Sequence, residues 1–317
     1  MKVYFAPLEG ITDSIYRRLH HQYFPGVDRY YMPFFSPTMH RCLTRKEDRE
    51  LPIADRLPFI AIPQVLTKNP DDFLWAAQQC ADRGYTEVNL NVGCPSGTVV
   101  AKGKGVGMLA DPEGLDVFLE RIFAQTPIPI SIKTRLGVKE DTEFPRLLEI
   151  FNQYPICELI IHPRVRTDFY KPPLRLDSFA YAVENSNLPL CYNGDIDSIE
   201  ALAQAKEQFP QIDTFMIGRG LVGDPGMLTD GGTDIKVLKQ FHDHLLEEYS
   251  VCFGSNRNAM FRMKENWHYL SQHFKGGEKL FKSLRKATEL SVYQNITSQI
   301  FETLEFSTHT KVPEDFM

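Results

Sequence analysis

Residues 129–137 read PISIKTRLG, a short apolar run that ends in lysine, threonine and arginine. The same order, an apolar run followed by polar residues or glycine, recurs at 158–164 (ELIIHPR), 188–195 (LPLCYNGD) and 213–220 (DTFMIGRG). Runs that are apolar through most of their length are typical of strands buried on both faces of a parallel sheet. The repetition therefore predicts parallel strands that carry polar groups at their carboxyl ends.

Eight such strands are predicted before residue 220. They are Val3–Ala6, Arg29–Phe35, Phe59–Val65, Glu87–Val92, Pro129–Thr134, Glu158–His162, Leu188–Tyr192 and Thr214–Ile217. Helix-compatible segments lie between many of them, and two follow the capping pairs Asn69-Pro70 and Asp111-Pro112. Eight β units that alternate with helices favour an α/β fold of the (β/α)8 TIM barrel type over a doubly wound open sheet. The region 36–57 is expected to be irregular.

The pattern changes after Asp230-Gly231-Gly232. From 235 to 306 no run resembles a strand, and apolar residues follow helical spacing. We therefore expect a TIM-barrel catalytic domain over 1–232 and a C-terminal all-helical domain over 233–317.

The composition is that of a globular protein: 317 residues, 43% hydrophobic and 24% charged. It excludes collagen, a coiled coil and a largely disordered chain. No apolar run is long enough for a membrane helix, and the opening MKVYFAPLEG lacks the pattern of a secretory signal. The six cysteines form no C-x-x-C pair and have no histidine at metal-ligand spacing. We expect a cytoplasmic protein with reduced cysteines and no metal.

Charge is distributed unevenly along the chain. Residues 257–286 hold eight Lys or Arg and two acids, a net charge of +6, although the whole chain carries −6. Four lysines of this segment have spacing i, i+4, i+7 and i+11, which predicts one face of a helix: Lys275, Lys279, Lys282 and Lys286. Such a face is either simply solvated or a contact surface for nucleic-acid phosphates.

Several residues after the predicted strands could carry chemistry. Cys94, between Gly93 and Pro95, is a candidate acid or, beside a cation, a candidate nucleophile. Lys133 is a candidate Schiff-base amine or a fixed positive charge beside a cofactor. His162 and Gln64 are candidate hydrogen-bond partners of that cofactor, and either of them could instead simply pack.

The ends of strands seven and eight are the usual phosphate site of such barrels. Asn193-Gly194-Asp195 and Gly218-Arg219-Gly220 supply flexible backbone N–H groups and a guanidinium at these ends. We predict a phosphate-holding turn there, with a plain tight turn as the alternative. The glycine-rich segment 97–107 lacks the Ser or Thr of a P-loop, and we expect a mobile loop that closes on substrate.

Taken together, these segments resemble the tRNA-dihydrouridine synthases. The motifs that carry the resemblance, in the family's order, are APLEGITD (6–13), NLNVGCPS (89–96), SIKTRLG (131–137), HPR (162–164), NGDI (193–196) and MIGRG (216–220). The resemblance implies an FMN-binding barrel with a C-terminal helical domain. It also implies reduction of the C5–C6 double bond of particular tRNA uridines, with NADPH as the electron donor.

The resemblance assigns roles residue by residue. FMN contacts are expected from Pro7, Leu8, Glu9, Gln64, Lys133, His162, Asn193, Gly194, Asp195, Gly218 and Arg219. Substrate contacts are expected from Asn91, Arg135, Arg164, Arg166, Lys275, Lys279, Lys282 and Lys286. The motif His-Pro-Arg-Val-Arg-Thr replaces the commoner His-Gly-Arg-Thr, which leaves open whether Arg164 or Arg166 faces the RNA.

The implied chemistry delivers hydride from reduced FMN to C6 of uracil and a proton from Cys94 to C5. An ordinary thiol is largely protonated at neutral pH and suits that role. Three alternatives stay open: an FMN barrel that reduces a small pyrimidine or enone, an RNA-binding protein without activity, and a Schiff-base aldolase. A monomer is expected, whereas the uridine position and the choice between NADPH and NADH are not predicted.

Overall fold

A computed structural model of the chain describes residues 1–171 and 173–307. The chain divides into two compact units that are interleaved along the sequence. The barrel unit comprises Met1–Pro7, Asp28–Gly194 and Lys206–Met216, and the helical unit comprises Leu8–Val27, Asp195–Ala205 and Ile217–Met317, the last described to residue 307. The sequence-based division into domains after residue 232 stays a prediction.

Within residues 1–171 and 173–307, nine parallel strands build a nearly closed barrel. They are β1 (Lys2–Phe5), β2 (Arg29–Tyr31), β3 (Ala61–Ile62), β4 (Gln64–Val65), β5 (Val88–Val92), β6 (Ile130–Gly137), β7 (Leu159–Val165), β8 (Leu190–Tyr192) and β9 (Thr214–Ile217). The sheet order is β3-β2-β1-β9-β8-β7-β6-β5-β4. Its two edges, β3 and β4, are separated in the chain only by Pro63, so the sheet closes on itself. The TIM-barrel fold is confirmed, and the open sheet is excluded. The prediction of one strand over Phe59–Val65 is wrong, because Pro63 divides that segment into β3 and β4.

The helices follow the predicted alternation. They are α1 (Ser14–Tyr23), α2 (Arg45–Glu50), α3 (Pro70–Asp82), α4 (Gly97–Val100), α5 (Pro112–Gln125), α6 (Phe144–Phe151), α7 (Leu176–Asn185), α8 (Ile199–Gln208), α9 (Arg219–Gly223), α10 (Ile235–Phe253), α11 (Asn256–Leu270), α12 (Glu278–Lys286) and α13 (Leu290–Thr303). The expectation of an irregular 36–57 region is wrong at α2. There the Thr44 hydroxyl accepts the Glu47 N–H, and the Glu47 carboxylate accepts the Thr44 N–H, a capping box that begins a helix.

The barrel unit is held by strands buried along their length and by amphipathic helices. Every residue of β5 and of β7 is buried. Helix α3 buries Phe73, Ala76, Ala77 and Cys80, which recur every three or four residues and so share one face. Burial of apolar area at about 25 cal/mol per Å² is the main stabilising contribution.

The helical unit has its own aromatic core. The ring of Tyr16 on α1 meets Phe241 on α10 edge to face at 5.4 Å. On α11, the Trp267 indole N–H donates to the Tyr293 hydroxyl at 2.9 Å, which satisfies a polar group that burial would otherwise penalise. The C-terminal helices predicted from the sequence are therefore confirmed. Among residues 1–171 and 173–307, no helix combines the length and the apolar character needed to span a membrane.

Candidate active site

A chain of amide side chains crosses the barrel interior and ends at Cys94. The Asn89 amide donates to the Ser131 hydroxyl at 2.8 Å, and the Gln64 amide donates to the Asn89 oxygen at 2.7 Å. Asn91 in turn donates to the Gln64 oxygen at 2.8 Å, and its own oxygen accepts the Cys94 N–H at 2.9 Å. Each amide thus donates in the same direction, which fixes the orientation of all three. Asn89 and Ser131 begin the motifs NLNVGCPS and SIKTRLG, but no role was assigned to either of them from the sequence.

Cys94 is half-buried, next to the glycine-rich segment. Gly105 has φ +57, and a Cβ there would lie 2.9 Å from the carbonyl oxygen of Cys94, so only glycine allows this close approach. The segment forms α4 and a 3-10 helix at Gly105–Ala110. The expected lid motion stays a prediction.

Lys133 lies on β6 directly opposite Asn91 on β5. The strand continues to Gly137, so the expectation that it ends at Thr134 is wrong. Burial, with a further contribution from the positive charge of Arg135, lowers the pKa of Lys133 to about 8. Its ammonium makes no hydrogen bond to any other residue of the described ranges 1–171 and 173–307. The barrel therefore holds an ammonium group that has no hydrogen-bond partner among the described residues.

His162 and Arg164 are hydrogen-bonded to each other. The Arg164 guanidinium is 2.9 Å from His162 Nε2, and because arginine only donates, Nε2 is the acceptor and Nδ1 carries the proton. Arg164 is fully buried and also donates to the Lys171 carbonyl at 2.9 Å. Arg135, likewise buried, donates to the Val165 carbonyl at 2.9 Å. The guanidinium groups of Arg164 and Arg135 thus donate to backbone carbonyls inside the protein. An arginine that contacts RNA is instead expected at the surface.

Arg166 and Tyr170 occupy the turn after β7. The Nε of Arg166 is buried without a hydrogen-bond partner among the residues described. Tyr170 is 43% exposed, and its ring lies 5.3 Å from the Arg135 guanidinium carbon and 6.1 Å from the His162 ring. Tyr170 was not predicted as a site residue, because its position in the sequence does not indicate that its ring lies beside Arg135 on β6 and His162 on β7.

A second polar cluster lies at the amino ends of the strands. Glu87 and Glu158 directly precede β5 and β7 and are 8% and 7% exposed. The Tyr31 hydroxyl lies between them, 3.3 Å from Glu87 and 3.2 Å from Glu158. Tyr4 donates to Glu158 at 3.3 Å, and Arg29 donates to Glu87 at 2.9 Å. Burial, with repulsion from Glu87, raises the pKa of Glu158.

In the helical unit, the predicted Leu8 and Glu9 lie in a hydrogen-bonded turn. The Ile11 and Thr12 N–H groups both donate to the Leu8 carbonyl at 3.0 Å. Leu8 is half-buried and Glu9 exposed, and Pro7, the last residue of this segment in the barrel unit, is half-buried.

The residues predicted for phosphate binding fall in both units. In the barrel unit, Asn193 donates to the Met216 carbonyl at 2.8 Å, and Gly194 is buried. In the helical unit, Arg219 pairs with Asp195 at 2.8 Å, and Gly218 precedes α9 as its N-cap.

The prediction of one lysine face is correct for part of the segment and wrong for Lys275. Helix α12 begins at Glu278, after Gly276 with φ +72, so Lys275 lies outside it and instead pairs with Glu305 at 2.6 Å. The other three lysines are exposed on α12 at spacing i, i+3 and i+7: Lys279, Lys282 and Lys286.

In the part of the chain that the structure describes, no group of three or more His, Cys, Asp or Glu side chains is arranged to hold a metal ion. The barrel unit instead presents a thiol, an amine, an imidazole and guanidinium groups at the carboxyl ends of its strands. In a (β/α)8 barrel this is the end at which active sites form. Fold and site together define a barrel enzyme.

The family model described as "Dihydrouridine synthase (Dus)" matches residues 4–315. The chain therefore belongs to the dihydrouridine synthase family, and it is an oxidoreductase of that family. The tRNA-dihydrouridine synthase B of Pasteurella multocida is 28% identical over 71% of this chain and 67% of its own length. The tRNA-dihydrouridine(16) synthase of Neisseria meningitidis is 23% identical over 94% of both chains. A solved morphinone reductase aligns with a TM-score of 0.48 at 11% identity over 72% of this chain and 84% of its own, a similarity too low to support an argument.

Proposed function

We propose that this protein reduces the C5–C6 double bond of specific uridines in tRNA to dihydrouridine, with FMN as its cofactor and NADPH as the electron donor. Family membership supports the reaction. The proposal of a cofactor rests on the environment of Lys133. This cation lies in the barrel interior and makes no hydrogen bond within the described chain, and its pKa is lowered to about 8. The protein would act in the cytoplasm as a monomer.

The residues present fit FMN at the carboxyl ends of the strands. Lys133 offers a positive charge, and His162 Nδ1–H and the second amide hydrogen of Gln64 are donors of the kind that a flavin's carbonyl groups accept. On the grounds of sequence order, the phosphate and ribityl contacts would come from the remaining predicted residues: Pro7, Leu8, Glu9, Asn193, Gly194, Asp195, Gly218 and Arg219. Bound FMN would supply the hydride for C6 of uracil.

Cys94 would donate the proton to C5. Its backbone N–H is fixed by Asn91, which in turn is fixed through Gln64, so the position of the thiol is defined through its own backbone. Asn91 keeps a second amide hydrogen with which it could donate to the uracil edge. The target base would have to leave its stack to reach this end of the barrel, which costs a few kcal/mol that pocket contacts offset.

Among the arginines, we assign the RNA contact to Arg166. Its guanidinium has an unpartnered Nε, whereas Arg164 and Arg135 are buried and hold backbone carbonyls. We therefore propose that Arg164 and Arg135 position the strand ends, and that Tyr170 lies against the uracil. The proposal thus gives the RNA-facing role to the second arginine of the His-Pro-Arg-Val-Arg motif.

The tRNA body would contact the exposed lysines of α12, with Lys275 as an additional contact. Each lysine that neutralises a phosphate releases a counterion and steepens the salt dependence of binding. Replacement of Lys279, Lys282 and Lys286 by Glu should raise the Michaelis constant for tRNA and leave flavin reduction by NADPH unchanged.

The proposal is tested with purified protein, FMN, NADPH and an unmodified tRNA transcript. We expect flavin reoxidation that depends on the transcript, and a gain of two hydrogens on one or a few uridines, located by nuclease digestion and mass spectrometry. Colourless protein that fails to bind added FMN would contradict the cofactor. Turnover of free uridine as rapid as that of tRNA would instead favour a small-pyrimidine reductase.

A further inference from the structure

The turn that follows β7 is tied by side-chain hydrogen bonds at both of its ends. Asp168 accepts the Val165 N–H at 3.0 Å and is clamped by two hydrogen bonds from Arg175, at 2.9 and 3.1 Å. At the other end, the buried Arg164 donates to the Lys171 carbonyl. Both ends of the turn are therefore fixed by charge-assisted hydrogen bonds.

Phe169 lies at the middle of this turn in a strained conformation. Its φ is +50° and its ψ is −102°, a region that a bulky side chain rarely adopts. The residue is nevertheless 45% exposed, so the strain is not offset by full burial. Phe169 and Tyr170 are the only two consecutive large hydrophobic residues that are exposed within residues 1–171 and 173–307.

The surroundings of Phe169 are suited to a nucleotide. Tyr170, the next residue, lies against Arg135 and His162 of the candidate active site, so Phe169 is one residue along the chain from a side chain of that site. Arg166, at the start of the turn, has a buried Nε that makes no hydrogen bond to the described residues. An exposed aromatic ring and an unsatisfied guanidinium are the groups that stack on a nucleobase and bind its phosphate.

We propose that Phe169 stacks on the nucleobase that neighbours the target uridine, and that Arg166 binds the phosphate of that nucleotide. This inference rests on the proposed tRNA reductase function and adds a second, non-reacting nucleotide to the recognised substrate. Phe169 is then a positioning residue: it holds the RNA chain on one side of the uridine that enters the barrel. The strained backbone keeps the ring at the surface instead of letting it pack.

The test compares Phe169→Gly, Phe169→Trp and the control Tyr181→Ala, which removes another partly exposed aromatic ring, on α7. Glycine removes the ring and relieves the positive φ, so the melting temperature should hold or rise. Loss of one stacked base should weaken binding of a fluorescein-labelled tRNA transcript about tenfold. The Michaelis constant should rise in parallel with kcat little changed, and Phe169→Trp and Tyr181→Ala should bind like wild type.

Equal transcript affinity of Phe169→Gly and wild type would overturn the stacking role, and a fall in melting temperature would indicate a packing role instead. Both readouts are independent of turnover. A wild-type protein that binds the transcript but leaves it unreduced would thus contradict the proposed function, while the affinity ratio would still decide this inference.

Arg166→Gln should reduce the slope of log Kd against log salt by about one, and the exposed Arg56→Gln should have the smaller effect. Equal slopes for the two variants would refute the phosphate contact.

Discussion

The two ends of the barrel both hold buried polar groups, but they differ in how these groups are satisfied. At the amino ends, the carboxylates of Glu87 and Glu158 are paired with Arg29 and two tyrosine hydroxyls. At the carboxyl ends, the Lys133 ammonium makes no hydrogen bond to another residue in the described ranges.

A closed polar network stabilises or specifies a fold, because each buried group has its partner within the protein. A buried charge without such a partner is costly, and it is retained where a ligand supplies what the protein lacks. The contrast therefore favours a structural cluster at the amino ends and the proposed binding site at the carboxyl ends, although both consist of ordinary ionisable residues.

The largest effect should come from the thiol at the carboxyl end. Cys94→Ala should keep bound flavin but lose about a hundredfold or more of its turnover with tRNA, because the proton donor is removed. The control is Cys157→Ala, which removes a thiol next to Glu158 at the opposite end. Turnover is measured as tRNA-dependent flavin reoxidation under single-turnover conditions. Near-normal turnover of Cys94→Ala, or an equal loss in both variants, would contradict the acid role.

A smaller effect is expected from removal of the positive charge of Lys133. Lys133→Gln removes the charge and keeps a side chain of polar character, so FMN affinity should fall about tenfold, or ~1.4 kcal/mol. Quenching of flavin fluorescence on titration of the apoprotein measures this affinity. Lys139, an exposed lysine, provides the matched control Lys139→Gln. An unchanged dissociation constant in Lys133→Gln would show that the flavin does not use this charge.

The smallest effect is expected at the amino ends of the strands, where Glu158 is hydrogen-bonded to two tyrosines. Because the pKa of Glu158 is raised in the folded protein, its ionised form opposes folding, and this cost grows as pH rises above its ordinary value of 4.5. Glu158→Gln should therefore be as stable as wild type near that pH and more stable by about 1 kcal/mol near neutrality. Urea denaturation at several pH values measures the difference, with the exposed Glu149→Gln as control. A large loss of stability at high pH would mean that the charged carboxylate is needed.

The sequence predicted the barrel because its strands are buried on both faces, and such strands leave continuous apolar runs such as Leu159–Ile161 in the chain. It also placed Cys94 directly after its strand, whereas Lys133, predicted at a strand end, lies within β6 opposite Asn91. The short helix α2 could have been found from Thr44 and Glu47, whose spacing is that of a capping box.

Sequence alone could not separate the two polar clusters. Glu158 before β7 and His162 within it are equally polar neighbours of the same apolar run, and only the folded structure shows that Glu158 pairs with tyrosine hydroxyls and His162 with Arg164. The same limit applies to Arg164 and Arg166, which differ in burial but not in residue type. Lys275 was assigned to a helix by spacing, although Gly276 with its positive φ separates it from α12.

The central claim is that the charged Lys133 ammonium binds an anionic group or a strong hydrogen-bond acceptor of the cofactor. The pH dependence of FMN binding to the apoprotein tests this claim most directly. A ligand that prefers the charged amine binds with constant affinity below the pKa of about 8 and loses up to about tenfold per pH unit above it. We expect this decline in wild type and its absence in Lys133→Gln. Affinity of the wild-type apoprotein that is independent of pH up to about 9.5, or an identical decline in both proteins, would contradict the account.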